Sequence, residues 1–526
     1  MQLFLTFAAY TFFVAVYSWY KLKKEKLTSK EGYFLGGRSL TGIVIAGSML
    51  LTNISTEHLI GMNGSSYKNG FIIIAWEVTS ALALILTAVY FIPKYLKMGL
   101  TTIPQFLENR FDGFTRSLVA FFLMISFVFT LLPIVLYTGA INLESIFNIS
   151  ELLQVPKSQA MIYTIWAIGL IGSLYAIFGG LKAVAVSDTL NGYGLLIGGL
   201  AIPFLALANI GEGNAIDGLS KVYQNAPEKF NVIGDKDSVM PFEVLFTGLI
   251  INQIYFWCMN QMIIQRALGA QNLKEAQKGL LFTGLLKIIV PLIIILPGVI
   301  GFYYYDEMYF DNQDIIYPEL IKRVLPASFI GVFAAVVMGA VLSTFNSVLN
   351  SAATIFSIDI FKRHISPQIS DVRLVKTGKI TSAILALFAI CVAPMVGNAP
   401  EGLYQLLQQL NGIFFIPIAS IMLAGFFLPK ISALAAKFAL FIGLTFYIVC
   451  TFILNVNIHF VHVWGIEFIL NMIVMVLISY YFPKEKPFKI NDLQIVEMKG
   501  WKYTKVFSAF LIFTTLFIYT LLGNFQ

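Results

Sequence analysis

The stretch TGIVIAGSMLLTNISTEHLIGMNGSS, residues 41–66, decides how the rest of the chain is read. It is apolar enough to enter a bilayer, yet Thr52, Asn53, Ser55, Thr56, Glu57 and His58 interrupt its middle. In hydrocarbon, an unpaired polar side chain or a free main-chain group costs several kcal/mol. Such a cluster is tolerated if the helix breaks there and faces a wetted, protein-lined cavity. This predicts a substrate and ion site at mid-membrane depth, built on a discontinuous helix. The alternative is a buried polar knot that only fixes helix packing. One isolated Ser or Asn would fit that alternative, whereas a carboxylate beside an imidazole favours the site.

Composition supports the membrane setting. Of 526 residues, 58% are hydrophobic and only 12% charged, and a soluble domain carries about 25% charged residues. The net charge of +7 does not indicate nucleic acid, because Lys and Arg fall in short loops between apolar segments. Cys258, Cys391 and Cys450 lie inside apolar segments, far apart, and form neither a disulfide framework nor a metal spacing. The run Met1–Tyr20 has no basic region ahead of it. Lys21, Lys23, Lys24 and Lys26 follow it, so it is expected to remain as a spanning helix rather than a cleaved signal.

At about 20 apolar residues per span, about fourteen transmembrane helices are expected. They fall near 1–20, 41–66, 70–94, 116–144, 158–178, 180–208, 241–266, 280–304, 326–361, 374–398, 402–428, 432–454, 462–482 and 504–522. Alternate loops carry the cations: Lys21–Lys30, Lys94 to Arg116, Lys182, Arg266 to Lys278, Lys362 to Lys379, Lys430 to Lys437 and Lys484 to Lys505. The intervening loops are neutral or acidic, as at Asp306, Glu307, Asp311 and Asp314, with Lys322 and Arg323 a mild exception. The positive-inside rule then places both termini outside, and the expected location is a bacterial inner membrane.

A second span is marked as broken. The seventh, MPFEVLFTGLIINQIYFWCMNQMIIQRAL, carries Asn252, Gln253, Asn260 and Gln261 within its apolar stretch. It follows the second by five segments, and an odd offset reverses the direction of crossing. Two interrupted helices at matching places in antiparallel halves point to an inverted-repeat transporter. The repeats would be 41–208 and 241–428, within a single membrane domain 1–526, with helices 1–20, 432–454, 462–482 and 504–522 peripheral.

Lys287, in LLFTGLLKIIVPLIIILPGVIG, has no other charge in its span. Twelve residues past Glu275, it lies about 18 Å in at about 1.5 Å per residue, deeper than a lysine stem easily snorkels. A buried ammonium needs a carboxylate or several oxygen acceptors, which Glu77 and the hydroxyls of a sugar would supply. Ser80, three residues after Glu77, shares its helical face. Gln408 and Gln409 add amide groups, suited to hydroxyls that both donate and accept. A purely structural Glu77–Lys287 ion pair is the competing reading.

In the ninth segment, GAVLSTFNSVLNSAATIFS, Ala340, Ser343 and Thr344 stand at i, i+3 and i+4. Sodium is a hard cation satisfied by neutral oxygens (by extension from), and interruption at 51–54 would free carbonyls to complete its shell. A row of small hydroxyl residues also permits close helix packing. Asp188 is another intramembrane acid. It could relay a cation, form a second ion site with Asn346 and Ser347, or be an interfacial helix-end acid.

Several longer stretches carry a family likeness: EGYFLGGRSL (31–40), NISTEHLIGM (53–62), TTIPQFLENRF (101–111), NQMIIQRALGAQNLKEAQKG (260–279) and LNSAATIFSIDIFKRHISP (349–367). Through these the chain resembles the sodium:solute symporter family, in particular its sodium–sugar (glucose or galactose) cotransporter branch. The resemblance implies an all-α membrane protein of the LeuT type, a five-plus-five inverted repeat with one N-terminal and three C-terminal peripheral helices. It implies sodium-driven symport of a neutral hexose, with sodium as the bound ion. His58, Glu77, Ser80, Gln253, Lys287 and Gln408 fall on its sugar-contacting positions, and Trp76, Phe256 and Trp257 on its gates. Its sodium site would use the carbonyls of Leu51, Ile54 and Ala340 with the hydroxyls of Ser343 and Thr344. Asp188 matches an acid associated with sodium release or a second site. Asn346, where that second site has Ser or Thr, favours one sodium per sugar. Phe256 stands where sugar carriers often have Tyr, keeping the ring and losing the phenol.

Other classes fit less well. No HExxH zinc motif or GxxxxGK[ST] phosphate loop is present, and His58, His364, His459 and His462 offer no ligand set, which argues against an enzyme or a pump. A same-fold symporter for inositol, a carboxylate or an amino acid is the nearest rival. A channel is the more distant one.

Overall fold

The computed structural model describes residues 2–22, 28–305, 313, 315–398, 403–484 and 488–523. Lys23, Lys24, Lys26, Asp306, Glu307, Asp311 and Asp314, used above for loop charge, lie outside the described residues.

The all-helical expectation holds: among the described residues the extended contacts are isolated bridges, Leu40 with Ala270 and Asn272 with Glu497. Eleven helices are long and apolar enough to cross a membrane, and Gly42–Asn53 and Gly248–Met259 are shorter apolar ones. The expected spans map onto them. The first is Gln2–Lys21, the fourth Gly113–Phe147, the eighth Leu273–Tyr305, the ninth Ala327–Ile365 and the tenth Asp371–Gly397. The eleventh to fourteenth are Tyr404–Phe427, Ala433–Ile453, Phe460–Tyr481 and Thr504–Leu522. The fifth and sixth form one continuous helical run, Lys157–Ile210, broken in direction at Gly180, whose φ is +58°. A Cβ at Gly180 would sit 2.6 Å from the Tyr33 carbonyl oxygen, so both conformation and close approach require glycine.

Both interrupted spans are broken where polar residues cluster. The second runs as Gly42–Asn53, leaves helical geometry at Ile54 (φ −87°, ψ 100°), and resumes at Glu57 as a wide π-type turn to Met62. The seventh runs from Gly248 through a π-type turn, Tyr255–Met259, to Asn260 (φ −70°, ψ 121°), and resumes as Gln261–Leu268. No proline causes either break. Side chains hold them open instead: Asn260 accepts from the Met262 N–H, and the Thr56 hydroxyl donates to Thr138 across to the fourth span at 2.8 Å. The Asn260 side chain thus satisfies one N–H that the break in the seventh span exposes, and the fourth span braces the break in the second through Thr138.

The loops read as cation-bearing gather on one face. Arg38 donates to the carbonyl of Leu268 at 2.9 Å, and the Leu493 N–H bonds the Lys97 carbonyl at 2.8 Å. Lys437 pairs with Asp112 at 2.6 Å, and Arg116 and Arg363 both pair with Glu108. On the opposite face, the Val232 N–H bonds the Leu522 carbonyl at 3.3 Å and Lys229 bonds the Lys68 carbonyl at 2.6 Å. Two basic residues do not follow this pattern. Arg110 is fully buried against the carbonyls of Gly425, Leu428 and Ile431. Arg266, assigned above to the start of a charged loop, is fully buried within the bundle. Loop charge did not distinguish it, because it ends an apolar helix beside a genuinely basic turn.

Candidate functional site

The two breaks face one cavity, with about 60 Å³ open to the centres of water molecules. One water needs roughly 10–15 Å³ counted this way, so several fit. Lys287 enters from the eighth span, fully buried. Its Nζ pairs with the Glu77 carboxylate and donates to Asn53 Oδ1 at 2.5 Å. The second break therefore contributes directly to holding the lysine. His58 stands between two acids, with Nδ1 at 3.7 Å from Glu57 and Nε2 at 4.0 Å from Glu77. These separations exceed hydrogen-bond length, so the ring is placed among acceptors without being tied to one.

Gln253 braces the wall. Its amide donates to the Trp76 carbonyl at 2.8 Å and to Thr79 at 3.1 Å, while its oxygen accepts from Trp257 Nε1 at 3.1 Å. Gln408 donates to the Tyr404 hydroxyl at 2.8 Å. The Tyr404 ring meets His58 edge-on at 5.4 Å and Trp76 at 6.0 Å. Phe256 and Trp257 complete one side, their rings 5.2 Å apart. Of the residues expected at the sugar, His58, Glu77, Gln253, Lys287 and Gln408 line this cavity, as do Trp76, Phe256 and Trp257. Ser80 does not; its hydroxyl turns back to the Glu77 carbonyl one turn earlier. Asn53, Asn252, Tyr404 and Asn411 also line it. No role had been assigned to them at the sugar, although their position in apolar runs was the same signal.

Of the expected sodium residues, Leu51 and Ile54 flank the first break, and Ser343 and Thr344 reach it through Thr52. The Ile54 N–H is the last to bond back, to Leu50. The carbonyls of Leu51, Thr52, Asn53 and Ile54 then have no main-chain partner among the described residues. Thr344 of the ninth span donates to the Thr52 carbonyl at 2.9 Å, and Ser343 Oγ lies 3.4 Å from the Thr52 hydroxyl. Ala340, one turn earlier, is fully buried. This is a neutral, oxygen-rich contact between a broken helix and a hydroxyl row, chemistry that fits sodium as cargo (by extension from). Ser343→Ala is expected to raise the sodium concentration giving half-maximal solute uptake. An unchanged sodium dependence would remove Ser343 from the ion site.

Asp188 and Arg266 form a second buried centre. Asp188 accepts from Ser48 at 2.6 Å and lies 3.5 Å from the Arg266 guanidinium. Arg266 also donates to Ser48 at 2.7 Å, to the Met262 carbonyl at 2.5 Å and to Ser347. Ser347 continues to Thr52 at 3.2 Å. Asn346 is buried nearby in sequence, but its Oδ1 has no hydrogen-bond partner among the described residues. Asp188 and Ser347 are therefore brought together, with an arginine between them that was not foreseen.

A helical bundle with two broken spans around a mid-depth polar cavity defines a secondary transporter. The sodium:solute symporter family model matches residues 33–443, and the chain belongs to that family. The chain is 43% identical over 521 residues to the uncharacterized symporter YidK of Escherichia coli (strain K12), spanning 99% of this chain and 91% of that one. It is 35% identical to the sodium/glucose cotransporter of Vibrio parahaemolyticus, over 79% of this chain and 78% of that one. It is 29% identical to the sodium/myo-inositol cotransporter of Bos taurus, over 80% and 62%. Its fold is similar to that of a sodium-coupled sialic acid symporter in a substrate-bound outward-open state. There the TM-score is 0.80 at 20% identity, covering 92% of this chain and 99% of that one. The family and fold class expected from the residues alone are borne out.

Proposed function

We propose that this protein carries a neutral sugar into the cell together with sodium, by alternating access. The observation that carries the reading is the Lys287–Glu77–Asn53 cluster at the cavity wall, with His58 and Gln408 on the same cavity. A polyol exchanges hydrogen bonds with all of these groups without bringing a charge of its own. A carboxylate solute would add a negative charge beside Glu57 and Glu77, and the sequence relatives include a sodium/glucose and a sodium/myo-inositol cotransporter.

Sodium entering from outside bridges the carbonyls at 51–54 and the hydroxyls of Ser343 and Thr344, joining the second and ninth spans. That fixes the Asn53 end of the Lys287 cluster and so prepares the sugar site. Sugar closes the outer side; loss of sodium inward releases both. The coupling is reciprocal, so sugar tightens sodium by the factor with which sodium tightens sugar. The membrane potential contributes about 2.3 kcal/mol per charge per 100 mV. The guanidinium of Arg266 already neutralises Asp188, which favours a single sodium per sugar. The basic face is the cytoplasmic one, with both termini outside a bacterial inner membrane.

The test is uptake of labelled hexoses and myo-inositol into proteoliposomes, with and without an inward sodium gradient. Sodium-driven accumulation of a hexose above its external concentration is expected. Accumulation of myo-inositol alone would move the protein to the cyclic polyol carriers. Equilibration without accumulation would indicate a channel.

A further inference from the structure

The thirteenth span holds a carboxyl group that the transport site does not use. Glu467 lies seven residues into the helix Phe460–Tyr481, about 10 Å from its start, and is completely buried. Neither of its oxygens has a hydrogen-bond partner among the described residues. Around it stand Asn471, one turn on, and Tyr447 and Cys450 of the twelfth span. Asn471 Oδ1, Thr451 Oγ1 and Trp464 Nε1 are also buried and unpartnered. Two glycines shape the space. A Cβ at Gly412 would fall 2.1 Å from Trp464 Nε1, and one at Gly443 would fall 2.5 Å from Asn471 Nδ2.

Among the described residues, no cation faces this carboxyl. Tyr447 and Cys450 are the titratable groups of the twelfth span near it. The only other charged group of that span, Lys437, is engaged by Asp112. The packed part of the seventh span, Gly248–Ile254, contains no ionisable residue, and Tyr404 of the eleventh lines the solute cavity. Within the thirteenth span itself, His462 is bonded to Thr247 at 3.0 Å, and His459, just ahead of it, caps its first turn. A bare carboxylate in this setting would carry a desolvation cost of several kcal/mol with no cation among the described residues to offset it. A protonated carboxyl would not, and its O–H can donate to Asn471 Oδ1, a buried acceptor with no hydrogen-bond partner among the described residues. A sodium ion would instead require a shell of about six oxygens (by extension from).

The cluster lies directly behind the solute cavity. Trp464 meets Trp76 edge-on at 6.3 Å, Tyr447 donates to the Gln409 carbonyl at 3.1 Å, and Gly412 follows the cavity-lining Asn411. We propose that Glu467 is a proton-binding site, and that its proton lets Trp464 pack against Trp76 and the eleventh span, so that deprotonation at alkaline pH disturbs the cavity wall. This goes beyond the transport reading and does not depend on the identity of the sugar.

Two measurements on the full-length protein in liposomes test it, neither needing a solute. Infrared spectroscopy at neutral pH should show the C=O band of a protonated carboxyl that is missing in Glu467→Gln. On raising the pH that band should disappear together with a change in tryptophan fluorescence, and Glu467→Gln, which mimics the protonated form, should show no such change. Each pH unit above the midpoint multiplies the ratio of ionised to protonated carboxyl about tenfold, so the two signals should follow one titration. The proposal is overturned if the wild type lacks the band, if a carboxylate band shifts with added sodium instead, or if Glu467→Gln shows the same fluorescence change.

Discussion

Lys287→Ala is expected to abolish sodium-driven sugar uptake, and the double variant with Glu77→Gln is expected to restore the protein's thermal stability without restoring transport. The single substitution strands Glu77, whose carboxylate is paired with the lysine in a fully buried position. Stranding one member of a buried pair costs about 3–5 kcal/mol, most of it the penalty of the charge left behind. Loss of transport in the single variant would therefore not distinguish a binding residue from a structural one. The double variant does. Replacing the acid with its neutral amide relieves the stranded charge, so a purely structural pair would recover both melting temperature and uptake. Recovery of melting temperature alone would place Lys287 and Glu77 at the solute. Recovery of both would make the pair a helix clamp and remove the main support for a sugar site.

The second large effect is expected at Arg266. Arg266→Ala should destabilise the protein by about 3–5 kcal/mol, because it leaves Asp188 charged and unpaired inside the bundle. It also removes donors to Ser48, Ser347 and the Met262 carbonyl, which tie the second, seventh and ninth spans. Asp188→Asn should cost much less. Arg266 keeps its other three acceptors, and the amide still accepts from Ser48. In uptake, Asp188→Asn should slow turnover more than it raises the half-saturating sugar concentration, since Asp188 does not line the solute cavity. Thermal melts and initial rates of the two single variants check both statements. Equal destabilisation would show that Arg266 acts only as the counter-charge of Asp188, and an unchanged turnover would leave that acid structural.

The break at 52–58 and the polar run in the seventh span were legible because hydrocarbon tolerates no unpaired polar group, so clustered polar residues mark a cavity without any knowledge of partners. The Ser343–Thr344 row was legible as a helical face for the same reason of simple periodicity. Ser80 was misleading. Helical spacing puts it on the face of Glu77, but spacing does not say whether a hydroxyl points to a cavity or back to its own carbonyl.

What the sequence determined by itself was the solvent of the chain, the places where two helices cannot continue, and the family. All of these follow from local composition and from motifs contiguous along the chain. What only the tertiary structure decided was pairing: that Lys287 meets Asn53 as well as Glu77, that Arg266 leaves its basic turn to neutralise Asp188, and that Glu467 meets no cation among the described residues. Each of the pairs formed joins residues 78 or more positions apart. A buried charge states that it needs a partner, but the choice among the few candidates is set by how the helices pack, and no local pattern encodes that.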